Sequence, residues 1–463
     1  MEIFINNNKE YSIDEIKHWD EYSSYAFKSL VEKKLLIENI KTNKTHKKSV
    51  PKITHLLKAT KEQSTAIKTI VTSKNKFQCF LLNGVTGSGK THVYMEIVKN
   101  VLETGQQVLI LLPEIGLTPQ FIERFKVVFN IDIGLYHSGL TEQQRLMTWI
   151  QTRDQTLSII LGTRSAVWMP LKNPGLIIVD EEHDMSYKQQ EGFRYSARDL
   201  AVYCAQQQNI PIVLGSATTS MESLHNVYKK QYHEIKLCNR IGKAKLPIIK
   251  TIDLRNSVMN GALSQTLIEQ IQSTLDANKQ VLLFINQRGF APAILCHHCG
   301  HAAHCERCDK PMTYHKKKQI IWCHHCDKQL PITTNCSVCK QQELIEVGHG
   351  TERIEENIRL LFPNYKSVRI DRDTTRLKGS LDDHLDKIQS GRAQILIGTQ
   401  MLAKGHHFPN LNLVGIVDMD SSLYSTDFRA SERMAQLLIQ VSGRAGRSET
   451  LGQVLLQTHH PDH

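Results

Sequence analysis

Leu81-Leu82-Asn83-Gly84-Val85-Thr86-Gly87-Ser88-Gly89-Lys90-Thr91 decides how the rest of the chain is read. Phe77 to Leu82 reads as a buried strand, and Val93, Ile97 and Val98 follow at helical spacing, so the segment is strand, glycine-rich turn and helix. In that context Gly84, Gly87 and Gly89 let the backbone wrap closely around phosphate. N–H groups at the helix start add donors and positive partial charge. With Ser88 in the cradle, Lys90 is placed for the β- and γ-phosphates of ATP and the Thr91 hydroxyl for magnesium. A turn that binds nothing is the alternative, and the full spacing between a strand and a helix argues against it.

A phosphate site of this kind needs carboxylates opposite it. Leu176-Ile177-Ile178-Val179 reads as a strand that delivers Asp180-Glu181-Glu182-His183 at its carboxyl end, the edge where ligands sit in doubly wound sheets. Asp180 is placed to hold magnesium through water, and Glu181 to orient or deprotonate an attacking water. Upstream, Thr60-Lys61-Glu62-Gln63 supports two readings. Gln63 can read an adenine edge through its amide, or the segment is simply a helix start capped by Thr60.

Further strands are predicted at Val108 to Leu112, Ser158 to Leu161 and Ile212 to Leu214, the last leading to Gly215-Ser216-Ala217-Thr218. Gly162-Thr163-Arg164-Ser165 follows one of them, and Arg164 offers a phosphate-seeking fork to a nucleic-acid backbone. Tyr187-Lys188-Gln189-Gln190-Glu191-Gly192-Phe193-Arg194-Tyr195 is dense in rings and cations for a chain with 6% aromatics. Rings stack on bases and cations meet phosphates, so Tyr187, Lys188, Phe193, Arg194 and Tyr195 are candidate contacts to single-stranded DNA, against a core-packing loop as the alternative.

Strands recur at Val281 to Ile285, Ser367 to Ile370, Ile395 to Ile397, Val414 to Val417 and Val454 to Leu456, without a second phosphate loop. Alternation with helical segments argues for a second parallel α/β lobe. In Gln440-Val441-Ser442-Gly443-Arg444-Ala445-Gly446-Arg447, two arginines beside glycines suit a reach across a cleft to a transferring phosphoryl group.

Eight of the eleven cysteines form four C-x-x-C pairs, Cys296/Cys299, Cys305/Cys308, Cys323/Cys326 and Cys336/Cys339. Each such turn supplies one edge of a tetrahedron, so the block matches two four-cysteine zinc sites, with redox pairs or iron–sulfur clusters as competitors. Spacing leaves nested and sequential pairing both open. The histidines in the block, His297, His298, His301, His304, His324 and His325, read as bystanders or nucleic-acid contacts.

The balance of 57 Lys and Arg against 46 Asp and Glu gives +11, with a pI near 9.0, which suits a polyanionic partner or a solvated basic surface. No apolar run approaches a membrane span and the N-terminus lacks a signal-peptide core, so a cytoplasmic protein with no membrane partner is expected. The boundaries read as 1–40, a partial winged helix; 41–59, a basic linker; 60–235, an ATP-binding lobe; and 236–463, a second lobe with a metal-binding insertion at 294–345.

Gly-Val-Thr-Gly-Ser-Gly-Lys-Thr, Leu-Pro-Glu-Ile-Gly-Leu-Thr-Pro-Gln, Gly-Thr-Arg-Ser-Ala, Asp-Glu-Glu-His, Gly-Ser-Ala-Thr and Gln-Val-Ser-Gly-Arg-Ala-Gly-Arg, in this order, resemble the motifs of superfamily 2 helicases. With the aromatic loop, the cysteine block and Val417-Asp418-Met419-Asp420, the resemblance narrows to the PriA family of replication-restart helicases and covers roughly residues 50 to 463. The resemblance implies an α/β fold of two tandem RecA-like parallel-sheet lobes with ATP and magnesium between them and two zinc ions in the insertion. It also implies 3′-to-5′ unwinding of forked DNA, with single-strand binding protein and primosome proteins as partners. Arg444 and Arg447 become arginine fingers, and Tyr187, Phe193 and Tyr195 part of a loop coupling single-strand binding to hydrolysis. The implied zinc pairing is nested, Cys296, Cys299, Cys336 and Cys339 sharing one ion and the other four the second. The family usually begins with a DNA-binding domain and a complete winged helix and continues past about His463, so the chain reads as a truncated member. The competing function is a zinc-dependent DNA-binding scaffold whose ATP site serves only as an assembly switch.

Overall fold

The computed structural model describes residues 24–33, 58–113, 118–242, 246–286, 293–446 and 451–463, apart from 309, 311, 316–317, 319, 333–334, 343, 348–350, 372–373, 375–379, 400–401, 403–407, 409 and 426. The chain divides into two compact units, Met1–Lys48 and Ser49–His463. In the first, the described part is the helix Ser24–Glu32; the rest of the expected partial winged helix lies outside the described residues, as does most of the linker at 41–59.

The second unit holds two parallel sheets. Seven strands make the first: β1 (Gln78–Gly84), β2 (Gln107–Leu111), β3 (Ile133–Tyr136), β4 (Ile159–Gly162), β5 (Pro174–Asp180), β6 (Pro211–Ser216) and β7 (His233–Leu237). Their order is β3-β4-β2-β5-β6-β1-β7, and every pairing is parallel. Helices cover both faces, so the central strands are buried on both sides and read as unbroken apolar runs. The core divides accordingly: Phe80, Leu82, Ile110 and Ile178 face the helix Lys90–Leu102, while Leu81, Leu109, Ile177 and Leu214 face the helix Ala197–Gln207.

The second sheet runs, in spatial order, Ser367–Ile370, Ile395–Gly398, Gln280–Ile285, Leu411–Asp418, Gln453–Thr458 and Ile248–Asp253, again all parallel. Three strands went unforeseen: Ile133–Tyr136, His233–Leu237 and Ile248–Asp253, each at an edge of its sheet. Edge strands need no continuous apolar run, and His233-Glu234-Ile235-Lys236-Leu237 alternates polar with apolar. Since β7 pairs with β1, the first lobe runs past residue 235, to Leu237. Among the described residues no helix is long and apolar enough to cross a membrane.

Between the strands of the second lobe sits the cysteine-rich insertion. It is framed by the antiparallel pair Ala293–Cys296 and Leu344–Val347 and contains a three-stranded sheet of Thr313–His315, Ile320–Trp322 and Gln329–Pro331.

Each lobe also pins its crossovers with a buried glutamine at the start of a strand. The Gln107 amide nitrogen donates to the carbonyls of Thr152 and Leu157, and its oxygen accepts from the N–H groups of Lys172 and Asn173, at 2.8 to 3.1 Å. Gln280 likewise donates to the carbonyls of Ile388 and Ala393. Gln107→Leu takes a partner from two buried carbonyls and two part-buried N–H groups and is expected to lower stability by about 2–3 kcal/mol in urea unfolding.

Candidate nucleotide site and cysteine clusters

β1 ends in Gly84, and the chain re-enters a helix at Lys90–Leu102 capped by Gly89 in the left-handed conformation, φ +82°. N–H groups at a helix start are the donors that a phosphate cradle requires. Lys90 Nζ donates to the Gly84 carbonyl at 2.9 Å. Ser88 Oγ is buried without a hydrogen-bond partner. Gln63 takes part in the helix start that the Thr60 reading expected: its Oε1 accepts from Thr60 N–H at 2.9 Å in a capping box, and its Nε2 donates to the Ser88 carbonyl at 2.8 Å. Its amide is therefore turned to the phosphate loop's backbone rather than to an open base site.

Asp180, which ends β5, and the three residues after it diverge because Glu181 adopts a left-handed conformation, φ +48°, that few non-glycine residues occupy. Asp180 accepts from the Tyr94 hydroxyl at 2.8 Å. Tyr94 sits one helical turn beyond Lys90, and it approaches so closely past Gly215 that a Cβ there would meet its hydroxyl at 1.6 Å. Burial pushes the Asp180 carboxyl up, and neighbouring Glu181 adds to the push against the pull of Lys90 and Tyr94, leaving it at about 6. A divalent cation is the natural counter-charge for such a carboxylate pair. Glu181 Oε2 is buried with no hydrogen-bond partner, 3.7 Å from His183 Nδ1.

Glu182 turns inward. Its carboxylate accepts from Ser220 N–H, the hydroxyls of Ser220 and Ser223, and Arg198, at 2.6 to 3.1 Å, and so caps the helix Met221–Tyr228. His183 reaches across the cleft. Its Nε2 accepts from the Gln440 amide at 2.6 Å, its Nδ1 donates to Ser216 Oγ at 2.8 Å, and Gln440 also donates to Thr218 Oγ1 at 3.2 Å. His183, Ser216, Thr218 and Gln440 thus join both lobes in one polar chain.

Gln440 lies on the helix Ala430–Ser442, whose end carries the expected fingers. Gly443 packs against the phosphate loop so tightly that a Cβ would come within 2.4 Å of Thr86 Oγ1, and the next residue, Arg444, is buried. Arg447 lies outside the described residues. Arg240, just past β7, donates to the carbonyls of Gly443, Ala445 and Gly446, while Ile241 N–H donates to Gly87 O at 3.0 Å. Nothing in the sequence singled out this inter-lobe segment.

The candidate DNA loop divides. Phe193, Arg194 and Lys188 are exposed and Tyr195 half-buried. Tyr187 corrects the expectation of a surface ring: it is 2% exposed, and its hydroxyl lies 2.7 Å from the Asp180 carbonyl and 3.0 Å from that of Leu111, bracing the carboxylate strand from within. Arg164 also turns to the protein, donating to the carbonyls of Ser186 and Lys188. Trp168, not foreseen, is 52% exposed and packs with Phe193 and Tyr195 at ring centroid distances of 6.4 and 5.5 Å.

The eight cysteines form two clusters, Cys296, Cys299, Cys336 and Cys339, and Cys305, Cys308, Cys323 and Cys326, the sulfurs of each within 4.8 Å of one another. The arrangement is nested. Closest cross-pairs lie at 3.4 to 3.8 Å, too long for a disulfide and near the edge of about 3.8 Å that a tetrahedron of Zn–S bonds requires. Burial opposes ionisation of Cys305, but the N–H of Arg307 and thiol of Cys326, with others, hold it down to about 6. This donor set fits zinc.

Glu182→Ala removes the buried acceptor of Ser220 N–H and of the Ser220 and Ser223 hydroxyls and leaves Arg198 with the Asp199 carboxylate alone, so a loss of about 3 kcal/mol or more is expected in denaturant unfolding. Glu182→Gln, which keeps one acceptor oxygen, should recover part of it.

Comparisons with known proteins agree with this geometry. The DEAD/DEAH box helicase family model matches residues 60–227, the PriA DNA helicase Cys-rich region model 305–331, and the helicase conserved C-terminal domain model 335–449. The replication restart protein PriA of Haemophilus influenzae is 52% identical over 387 residues, covering 84% of this chain and 53% of that protein. That of Bacillus subtilis is 38% identical over 453 residues, covering 95% and 56%. The chain thus spans little more than half the length of these relatives. Among solved structures, DUF1998 helicase MrfA bound to DNA aligns with TM-score 0.52 at 12% identity, covering 86% of this chain and 48% of that one. Dbp5 of S. cerevisiae bound to RNA and ADP BeF3 aligns with TM-score 0.50 at 15% identity, covering 97% and 90%. At such identities the structural likeness speaks for the two-lobed fold alone. Identity of this extent, joined to a cysteine-rich region of the same type between two helicase lobes, means that the chain belongs to the replication restart protein PriA family, within superfamily 2.

Proposed function

We propose that this chain carries an ATP-driven DNA helicase motor that moves 3′ to 5′ along a single strand at stalled forks, in preparation for primosome assembly. One observation supports it above the others. The phosphate loop, the Asp180-Glu181 pair and the Gly443-Arg444 turn of the second lobe converge on one cleft, with Gly443 packed on Thr86.

The cleft residues fit magnesium and ATP, since Ser88 Oγ and Glu181 Oε2 are buried there without hydrogen-bond partners. Thr91 and Asp180 would hold the metal and Gly84, Gly87, Ser88, Gly89 and Lys90 the phosphates. Bound magnesium–ATP supplies the phosphoryl group and the counter-charge on its oxygens. Lys90 exchanges the Gly84 carbonyl for phosphate oxygen, and Gln63 ties the base side of the site to the phosphate loop. Glu181, its free oxygen turned to the cleft, orients water and takes up its proton. Arg444, with Arg447 three residues on in the sequence, stabilises charge as the lobes close. The His183–Gln440 contact makes lobe closure and carboxylate geometry one event.

DNA would be read by Phe193, Arg194, Lys188 and Tyr195, joined by Trp168, whose rings offer faces to bases. The cysteine clusters would hold two zinc ions that cross-link a module too small for its own core. Forked DNA, single-strand binding protein and primosome proteins, in the cytoplasm, follow as partners. The scaffold alternative leaves the hydrolytic set of Glu181 and Arg444 without a task.

The deciding experiment is ATP hydrolysis by the purified chain with and without single-stranded DNA at fixed salt. Stimulation by DNA is expected, and its absence from a folded, zinc-loaded sample would sink the motor reading. Lys90→Ala should lower hydrolysis by about 100-fold or more while sparing DNA binding. Cys305→Ser should cost one of two zinc equivalents by elemental analysis and impair unwinding more than basal hydrolysis.

A further inference from the structure

His297 lies between two cysteines of the first cluster, yet it is 7% exposed and points away from the sulfurs. Its Nε2 is 3.2 Å from the Ser257 carbonyl and its Nδ1 is 3.2 Å from His459 Nε2. A carbonyl only accepts, so His297 carries its hydrogen on Nε2 and accepts at Nδ1 from His459. The two rings meet edge to face, centroids 5.4 Å apart. His459, 6% exposed, is fixed in turn: its backbone N–H donates to Asp420 Oδ2 at 2.7 Å, and the Thr458 hydroxyl donates to the other carboxylate oxygen. Two neighbouring contacts reinforce the seat. His298 meets the Asn256 side chain, and Gly300 packs so closely that a Cβ would lie 2.7 Å from the His459 carbonyl.

The second cluster supplies an internal control. Cys323-His324-His325-Cys326 repeats the Cys-His-His-Cys order of Cys296 to Cys299, and both its histidines are exposed. The turn around a four-cysteine site therefore does not require a buried histidine. What differs is the surface beneath, where His297 meets the end of the strand Gln453–Thr458 and the loop after Ile248–Asp253.

We propose that His297, His459 and Asp420 form the joint that seats the cysteine-rich module on the second lobe, with His297 as a positioning residue. The first cluster then travels with the second lobe as one body. Displacement of Asp420, at the end of the strand Leu411–Asp418, is delivered to the module through two imidazole rings. The joint goes beyond the motor reading and shares with it only the zinc assignment.

The test is a double-mutant cycle on the full chain, without nucleotide or DNA. Zinc release to 4-(2-pyridylazo)resorcinol is timed for the unaltered protein, His297→Ala, His459→Ala and the double variant. Each single change should speed release of one zinc equivalent about tenfold, the loss expected of a buried hydrogen-bonded contact. The double variant should release no faster than either single one, and His324→Ala should stay within about twofold of the unaltered protein. The same cycle read by urea midpoint needs no metal, so a protein that proved to hold no zinc would overturn the zinc assignment while the joint was still tested. His459→Ala lies outside the module, so a folding defect of His297→Ala within the knuckle does not decide the outcome. Release unchanged by His459→Ala, or effects that add in both readouts, overturns the joint.

Discussion

A left-handed residue at the end of a buried strand organises this molecule. With ordinary strand geometry Asp180, Glu181, Glu182 and His183 would alternate between two faces of a sheet. The turn at Glu181 instead sends Asp180 to Tyr94, leaves Glu181 beside His183, and turns Glu182 down onto the cap of a helix and His183 across to the other lobe. Three of the four adjacent side chains are thereby committed to different partners, and Glu181 keeps a buried oxygen without one. The strain of the αL conformation, on the order of 1 kcal/mol or more, is offset by the hydrogen bonds that surround it.

That arrangement explains why small residues recur around the site. Tyr94 can reach Asp180 only because residue 215 lacks a side chain, and the second lobe can rest on Thr86 only because residue 443 does too. Arg240 holds the carbonyls at the end of the Gln440 helix while the next residue bonds the phosphate loop. Among the contacts that join the lobes, two differ in kind, a histidine–glutamine bond near the carboxylates and an arginine clamp on backbone oxygens.

Much of this was legible in the sequence. The strand–loop–helix around Lys90, the carboxylates after β5 and the four cysteine pairs each need their residue types at fixed spacing, so the pattern carries the chemistry. Tyr94 was not, because a tyrosine on the buried face of an amphipathic helix looks the same whether it fills core or holds a carboxylate. Counting rings in the loop after Asp180 could not tell that Tyr187 turns inward while Phe193 turns out. Nor could spacing separate His297 from His324, since their local sequences match and only the surface beneath differs. The buried glutamines 107 and 280 escaped for a related reason: their partners are backbone groups of distant crossovers, which leave no side-chain signature.

The strand order of the first sheet has a consequence for how the protein is made. β1, which carries the phosphate loop, is the first strand of its lobe to leave the ribosome, yet its two neighbours, β6 and β7, are the last. The lobe can assemble β2, β4 and β5 during synthesis, but both edges of β1 stay open until β6 has emerged, and one of them until Leu237 has. Pairings of such long sequence separation form slowly. An apolar strand with two unpaired edges is also the segment most exposed to wrong partners. The part of the chain that binds phosphate is thus written first and closed last, and the yield of folded protein depends on how well that strand is shielded while translation continues.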